Sequence, residues 1–147
     1  MKLKLRKDKN IKETIIDITY NIFDHRLKNI IEITKSASIQ LKGEIRGRFF
    51  LIDSQDIHYI ESVDNLTFLY TETEIYENKD TLYGLEDKLQ STSFIRINKS
   101  TILNMDYLES VSPLPNYRLE TVLTTGEKLI INRHYMKAVK EYLKRWI

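Results

Sequence analysis

Hydrophobic and polar residues alternate along most of this chain, and a period of two is the pattern of a half-buried β-strand. From about residue 39 onward, short apolar segments follow one another at intervals of roughly eight to twelve residues, with polar turns between them. That spacing predicts an antiparallel, strand-dominated architecture. The segments predicted as strands are residues 39–41, 48–52, 57–61, 66–71, 75–76, both halves of 94–104, 106–112, 117–124 and 128–131.

Three segments have the period of an α-helix instead. Apolar residues spaced three and four apart predict a first helix over residues 21–35, with Asn21 as its N-cap and residues 36–38 as its exit. Asp80 is in position to cap a short second helix. Residues 135–147 predict an amphipathic terminal helix.

The pattern also suggests how the chain is divided. Alternating residues at 2–6 and 13–20 predict two strands ahead of the first helix, so residues 1–43 are expected to form a small ββα segment. Residues 44–147 would form the main domain, and the predicted fold class is α+β and strand-dominated. The N-terminal segment is too short for a phosphoryl-accepting receiver domain. It is a candidate for dimerisation or regulatory contact, and an extension that merely packs on the main domain is the alternative.

Composition favours a cytoplasmic globular protein. The chain is 41% hydrophobic and 30% charged, which suits a folded core rather than a disordered tail. No apolar run approaches the roughly 18 residues that cross a bilayer, and the first ten residues lack a signal-peptide core. There is no cysteine, so neither a disulfide nor a thiolate metal site is expected.

The net charge is only +2, but it is unevenly distributed. Residues 58–93 carry 2 basic and 8 acidic side chains, a net charge of −6, whereas residues 94–147 carry 9 and 5, a net charge of +4. A polyanionic partner would therefore meet the C-terminal third of the chain. Uneven charge is also common on sheet surfaces that bind nothing.

One polar cluster lies in the middle of residues 94–104, which predict a strand, a short connection and a second strand. Arg96, Asn98, Lys99 and Ser100 supply two cations, an amide and a hydroxyl at this connection. Such groups can grip phosphate and contact a base edge. A solvated hairpin end has the same composition.

A second cluster, Asn132-Arg133-His134, lies where the last predicted strand meets the last helix. Arg133 has the forked donors that read guanine in a major groove, and amides at a helix start favour phosphate. Lys137 and Lys140 would extend the positive surface as backbone contacts. A helix-start arginine and a solvated lysine stripe are the alternatives.

Enzyme chemistry finds little support in the sequence. The three histidines lie on separate predicted elements, and no nucleophile, phosphate-binding or dinucleotide motif is present. Asp64, Glu72 and Glu74 could converge as acid–base or metal carboxylates, although acidic hairpin ends commonly serve solubility. No catalytic residue, metal or cofactor is expected.

Four blocks of sequence nevertheless occur in a familiar order: IHYIES from residue 57, TLYGLEDKL from residue 81, FIRINKSTILN from residue 94 and GEKLIINRHYM from residue 126. Over residues 44–147 this order resembles the LytTR family of bacterial DNA-binding domains. The resemblance implies an elongated domain of packed antiparallel sheets with short flanking helices. It also implies that loops, rather than a recognition helix, enter the DNA grooves.

The resemblance implies three loop regions that contact DNA. Carried over by motif, they contain Asn65 and Thr67 in the first region, Asn98, Lys99 and Ser100 in the second, and Asn132, Arg133 and His134 in the third. The chain departs from the family at two of these. Asn132 stands where a serine is frequent, and Asn98-Lys99 stands where His-Arg is frequent, while Thr67 matches by position alone.

These expectations define a transcription regulator that binds double-stranded DNA, as a homodimer on repeated half-sites. Lys99, Lys137 and Lys140 would dock on the DNA backbone, while Arg133 and Asn98 would read bases. The resemblance further suggests a stand-alone regulator that lacks a receiver domain, of a type that can be controlled by a neighbouring, inhibitory membrane protein. No small-molecule substrate is expected. The alternative is a protein–protein interaction module that uses a sheet edge or the ββα segment without binding DNA.

Overall fold

The computed structural model describes residues 1–12, 14–36 and 39–144. The strands in this part of the chain are β1 (Gln40–Ile45), β2 (Arg48–Asp53), β3 (Ile57–Val63), β4 (Leu66–Thr71), β5 (Ile75–Asn78), β6 (Phe94–Asn98), β7 (Thr101–Asn104), β8 (Leu108–Leu114), β9 (Arg118–Leu123) and β10 (Lys128–Ile131). The α-helices are α1 (His25–Ser36), α2 (Leu82–Lys88) and α3 (Met136–Lys144), and single 3₁₀ turns occupy Ser54–Asp56, Met105–Tyr107 and Arg133–Tyr135. The predicted strand-dominated α+β fold is confirmed. Residues 145–147, predicted as the end of the last helix, lie outside the described residues.

The strands form two antiparallel sheets. Seven strands have the order β2-β1-β5-β4-β3-β7-β6, and the other three have the order β10-β9-β8. Strand β3 lies inside the large sheet, because Glu61 pairs with Phe68 of β4 on one side and with Thr101 of β7 on the other. The turn that follows β3 and the turn that precedes β7 therefore lie at the same end of the sheet.

Alternate side chains of β3 belong to two different hydrophobic clusters. Ile60 is fully buried in a cluster that joins the large sheet to α2 through Leu82 and Leu85. Its neighbour Tyr59 points to the opposite face, into a cluster that joins the same sheet to the three-stranded sheet and to Val139 of α3. Because successive side chains of a strand alternate in direction, one strand anchors both layers of the domain.

The hairpin of β1 and β2 depends on two glycines with different roles. A Cβ atom on Gly43 would lie 2.8 Å from Cβ of Tyr76 and 3.0 Å from Cγ1 of Ile52, so only glycine lets the two side chains pack against this strand. Gly47 lies in the turn with φ +79° and has open space around it. The first glycine thus serves packing and the second serves backbone conformation.

The helices begin at different residues from those predicted. Asp24, rather than Asn21, caps α1, because its side chain accepts a 2.9 Å hydrogen bond from the backbone N–H three residues later. Thr81, rather than Asp80, caps α2 through an equivalent bond of 3.1 Å. Asp80 instead pairs with Lys88 at 2.7 Å. In both helices the predicted capping residue lies too far ahead of the helix for its side chain to reach the backbone N–H that the observed cap binds.

The prediction of two strands ahead of α1 is wrong for the described residues. Residues 2–6 and 14–20 form no strand, and Glu13 of the second segment lies outside the described residues. Leu3 is 83% exposed and Ile16 is 61% exposed. Two isolated strands without a core to cover one face are at best marginally stable, so alternation alone does not make them pair.

Strand β8 continues for two residues beyond the predicted end of this strand at residue 112. Pro113 pairs with Leu119 and Leu114 pairs with Arg118 of β9. Proline is tolerated here because β8 is the edge strand of its sheet and needs no outward N–H. Residues 43 and 44, on either side of the predicted domain boundary, both lie in β1.

Candidate nucleic-acid interface

Hydrogen bonds bring three chain segments together at one end of the large sheet. The β3–β4 turn (residues 64–65) and the β6–β7 turn (residues 99–100) share this end, and the N–H of Ser62 donates to the carbonyl of Ser100 at 2.8 Å. The end of β10 joins them through Asn98, whose Nδ2 donates to the carbonyl of Ile130 at 2.9 Å. The segment after β10 contains the third predicted region. We call the exposed surface of these segments the three-turn surface.

Asn98 is half-buried and its amide is engaged inside the protein. Besides the bond to Ile130, its Oδ1 accepts a 2.9 Å bond from the N–H of Ser100 and a 3.0 Å bond from the hydroxyl of Ser100. The amide oxygen of Asn98 is thus paired with Ser100, and its amide nitrogen is paired with Ile130. Their geometry ties the β6–β7 turn to β10, across the gap between the two sheets.

Arg96 holds the same turn from its other side. Its Nε donates to the carbonyl of Asn98 at 2.8 Å, its Nη2 donates to the carbonyl of Lys99, and its Nη1 pairs with Oε2 of Glu86 at 3.0 Å. Only 18% of the Arg96 side chain is exposed. Lys99 itself is exposed, so the turn presents one cation whose backbone is fixed on both sides.

The junction after β10 is also positioned by backbone contacts. The N–H of Asn132 donates to the carbonyl of buried Ile97 at 2.9 Å, and Asn132 starts the 3₁₀ turn without a side-chain capping bond. Arg133 and His134 are exposed. The guanidinium carbon of Arg133 lies 5.2 Å from the ring centre of Tyr117, a cation–π contact that limits where the arginine points.

Tyr117 was not identified from the sequence as part of the site. It belongs to the β8–β9 turn, where Asn116 has φ +65° and Tyr117 has φ +57°. The only signal in the sequence is a Pro-Asn-Tyr-Arg turn beside a hairpin, and nothing local connects it to Arg133. The turn reaches the interface because β9 pairs with β10, with Leu119 opposite Ile131.

The β3–β4 turn presents one predicted residue and conceals the other. Asp64 and Asn65 form a two-residue hairpin turn with φ +51° and +64°, and Asn65 is exposed. Thr67 is only 5% exposed and lies in β4 between Ser62 and Asn78. Asn65, Thr67, Arg96 and Lys99 line one cleft of about 450 Å³, so the first two predicted regions are contiguous.

Helix α3 extends the exposed cations beyond the junction. Val139 is fully buried and anchors the helix in the second cluster, while Lys137 and Lys140 are exposed. With Lys99 and Arg133, these side chains give the surface several positive charges. Asp64 and Asp80 lie at the same end, so the surface is of mixed charge rather than uniformly basic.

The opposite end of β3 is acidic. The hydroxyl of Tyr107 donates to the carbonyl of Gln55 at 2.6 Å. Burial, and then the nearby carboxylates of Asp56, Asp106 and Glu72, raise the pKa of the Tyr107 hydroxyl. The seven residues of β3 separate this end from the three-turn surface by about 20 Å. A cluster of carboxylates thus lies at the end that the predicted site does not use.

Within the described parts of the chain, no three His, Cys, Asp or Glu side chains converge closely enough to hold a metal ion. Among the described helices, none combines the length and apolar character that crossing a membrane requires.

Comparison with known proteins gives consistent matches. The family model of the LytTr DNA-binding domain matches residues 47–144. A sensory transduction protein LytT from Enterococcus faecalis is 32% identical over 109 residues, which cover 74% of this chain and 44% of that protein. A transcriptional regulatory protein LytR from Staphylococcus aureus is 32% identical over 119 residues, which cover 80% of this chain and 48% of that protein. The chain therefore spans about half the length of these relatives.

A solved LytTr DNA-binding domain from Bacillus cereus has the same fold. It superposes with a TM-score of 0.66 at 20% sequence identity, covering 71% of this chain and 95% of that domain. The expected packed antiparallel sheets with short helices are thereby confirmed.

Proposed function

This chain belongs to the LytTr DNA-binding domain family, and we propose that it regulates transcription by binding double-stranded DNA through the three-turn surface. Chromosomal DNA of a bacterium lies in the cytoplasm, and the proposal places the protein there. It acts by binding and not by catalysis.

The observation that carries this proposal is the convergence of three separate segments on one end of the sheet. Ser62 bonds to Ser100, and Asn98 bonds to Ile130, so segments more than thirty residues apart are held in fixed relation. Exposed side chains on rigid turns can enter grooves without losing much conformational freedom on binding. A surface held in this way can read a duplex over several base pairs.

The residues divide into two proposed roles. Arg133 reads a base edge, because it is exposed and oriented by Tyr117. Lys99, Lys137 and Lys140 contact phosphates, which gives affinity without sequence preference. Exposed side chains that complete the surface are Asn65, Asn132 and His134, with Asn132 only half-exposed.

Two predicted contacts change role in this proposal. Asn98 and Ser100 bond to each other, and Thr67 is buried, so we assign all three to holding the turns in place. Their contribution to DNA binding is indirect.

The test is selection of bound sequences from a randomised duplex pool at two salt concentrations, with wild type, Arg133→Ala and Arg48→Ala. Arg48 is the matched control, since it is an exposed arginine on β2 at the far edge of the sheet. Wild type should enrich a motif, and Arg133→Ala should lose about 1–3 kcal/mol and blur one position of it. Equal loss on every sequence would contradict base reading by Arg133, and no enrichment by wild type would contradict the function.

We further propose that the protein binds repeated half-sites as a homodimer and that the segment ahead of β1 makes a dimer or regulatory contact. Exposed apolar side chains in that segment support a partner, among them Leu3, Leu5, Ile15 and Ile16. An inhibitory membrane protein is the other proposed partner for this segment. Sedimentation of the full chain with and without a two-site duplex would test the dimer, and a strictly monomeric complex on both sites would contradict it.

A protein-interaction module without DNA binding is the alternative function. The observation that favours it is the outer strand β2, where Phe49 is 60% exposed and Leu51 is 71% exposed on an unpaired sheet edge of the described structure. No retention of the randomised duplex pool by the protein, even at low salt, would favour this alternative.

A further inference from the structure

Arg96 connects helix α2 to the turn that carries Lys99. Its guanidinium donates to the backbone carbonyls of Asn98 and Lys99 and, from a third nitrogen, to the carboxylate of Glu86 on α2. The donor–acceptor distances are 2.8 Å to Asn98 and 3.0 Å to Glu86. One side chain therefore joins a helix to the last residue of β6 and to the first residue of the β6–β7 turn.

The chemistry of arginine suits this position. The guanidinium is planar, has five N–H donors in a fixed fork and stays charged, so a single orientation serves several acceptors at once. A lysine in the same place has one rotatable ammonium group and cannot bond to three acceptors that lie around a plane. Since three of the nitrogens are already engaged and the side chain is mostly buried, Arg96 has little left to offer a phosphate.

Glu86 has no contact of its own with the turn among the described interactions. It is 47% exposed, and an exposed ion pair by itself adds little stability. Its effect is on orientation, because the carboxylate fixes one edge of the guanidinium while the two carbonyls fix the others.

We propose that Arg96 and Glu86 are a positioning pair: α2 holds the backbone of the β6–β7 turn through them, and thereby sets where Lys99 meets DNA. This inference rests on the proposed function, in which that turn contacts DNA. Neither residue touches DNA itself.

The direction in which DNA affinity changes in Glu86→Gln distinguishes positioning from a simple charge effect. If Glu86 acted on DNA only through its charge, removing the charge would reduce repulsion and tighten binding. If Glu86 orients Arg96, Glu86→Gln should weaken binding, roughly three- to tenfold. Asp87→Asn is the matched control, since it removes the same charge from the same helix.

A second distinction comes from the dependence of affinity on salt. A side chain that neutralises one phosphate contributes about 0.9 to the slope of log affinity against log salt concentration. Lys99→Gln should reduce this slope by about 0.9. Arg96→Gln, which only displaces Lys99, should reduce the slope by no more than that and should add no further reduction in a Lys99→Gln background. A further reduction of about 0.9 in the double variant would show that Arg96 itself neutralises a phosphate and would overturn the positioning role.

The experiment measures DNA binding of the full chain and, separately, amide hydrogen exchange of the free protein. In Glu86→Gln and Arg96→Lys, the amide of Ser100 should exchange faster while amides of the buried core strands keep their wild-type rates. Unchanged exchange at Ser100, or tighter binding by Glu86→Gln, would overturn the inference. Faster exchange with unaltered DNA affinity would instead contradict the proposed contact between this turn and DNA.

Discussion

Replacing Asn98 by alanine tests whether its amide holds the β6–β7 turn or reads a base. The sequence suggests base reading, since an asparagine beside a lysine at a hairpin end is well suited to adenine. In the folded protein the amide makes three hydrogen bonds of 2.9–3.0 Å, two with Ser100 and one with Ile130. The two roles lead to different outcomes.

The magnitude follows from these bonds. Each is worth about 1 kcal/mol net, with a range of roughly 0.5–1.5. The hydroxyl of Ser100 can turn to water after the substitution, whereas the carbonyl of Ile130 and the N–H of Ser100 lose a fixed partner. We expect Asn98→Ala to lower the free energy of unfolding by about 2–3 kcal/mol.

The assay is urea unfolding followed by circular dichroism, together with DNA affinity on the selected motif and on single-base variants of it. Asn98→Ala should weaken binding to all these duplexes by a similar factor, because a displaced turn affects every sequence. Asn132→Ala is the control for stability, since Asn132 makes no side-chain capping bond and should change the unfolding free energy by less than about 0.5 kcal/mol. Unchanged stability of Asn98→Ala, with an affinity loss confined to one base position, would refute the holding role.

Three further predictions concern packing at Gly43, the contact between Tyr117 and Arg133, and stability at alkaline pH. Gly43→Ala should lower the unfolding free energy by about 1–3 kcal/mol in urea unfolding, because its Cβ would overlap the packed strands, whereas Gly47→Asn should change little at its open, positive-φ position. Tyr117→Ala should weaken DNA binding roughly two- to fivefold by freeing Arg133, and Tyr117→Phe, which keeps the aromatic face, should restore it in the same titration. Burial, followed by a hydrogen bond to a neighbouring carboxylate, raises the pKa of Tyr59 above its ordinary 10.0. Above pH 10 the folded protein retains a proton that the unfolded chain loses, so this contribution to stability is intact below pH 10 and declines as the pH rises further. The free energy of unfolding, measured from pH 8 to 11, should therefore fall less steeply with pH for Tyr59→Phe than for wild type. Parallel curves for the two proteins would contradict the assignment.

Local pattern was sufficient for much of the strand content. Residues 94–104 predicted β6, a turn and β7, and the structure has all three, because β7 is buried and pairs with β3 on one side and with β6 on the other. The same alternation failed at residues 14–20, where the described chain offers no neighbouring strand. Periodicity indicates which residues could be buried on one face, but pairing depends on a partner that local sequence does not reveal.

The arrangement of the site depends on topology in the same way. Turns after β3 and before β7 meet because β3 and β7 are neighbours, although β7 begins 38 residues after β3 ends. The bond between Asn98 and Ile130 spans 32 residues and two sheets. Residue types could identify Arg133 and Lys99 as candidates, whereas only the fold reveals that Asn98 faces inward and that Tyr117 lies beneath Arg133.

The separation of charge along β3 has a consequence for how the protein meets DNA in solution. A duplex would attract the end with Lys99 and Arg133 and repel the end around Tyr107, so the approaching protein experiences a torque that turns the reading end forward. Such rotation before contact raises the fraction of collisions that are productive, and therefore the association rate more than the lifetime of the complex. Mobile ions screen this torque beyond roughly 10 Å at 0.1 M salt, and in concentrated salt the torque would act only within a few ångströms of contact. The acidic end, remote from every proposed contact, would thus contribute to the speed of target recognition.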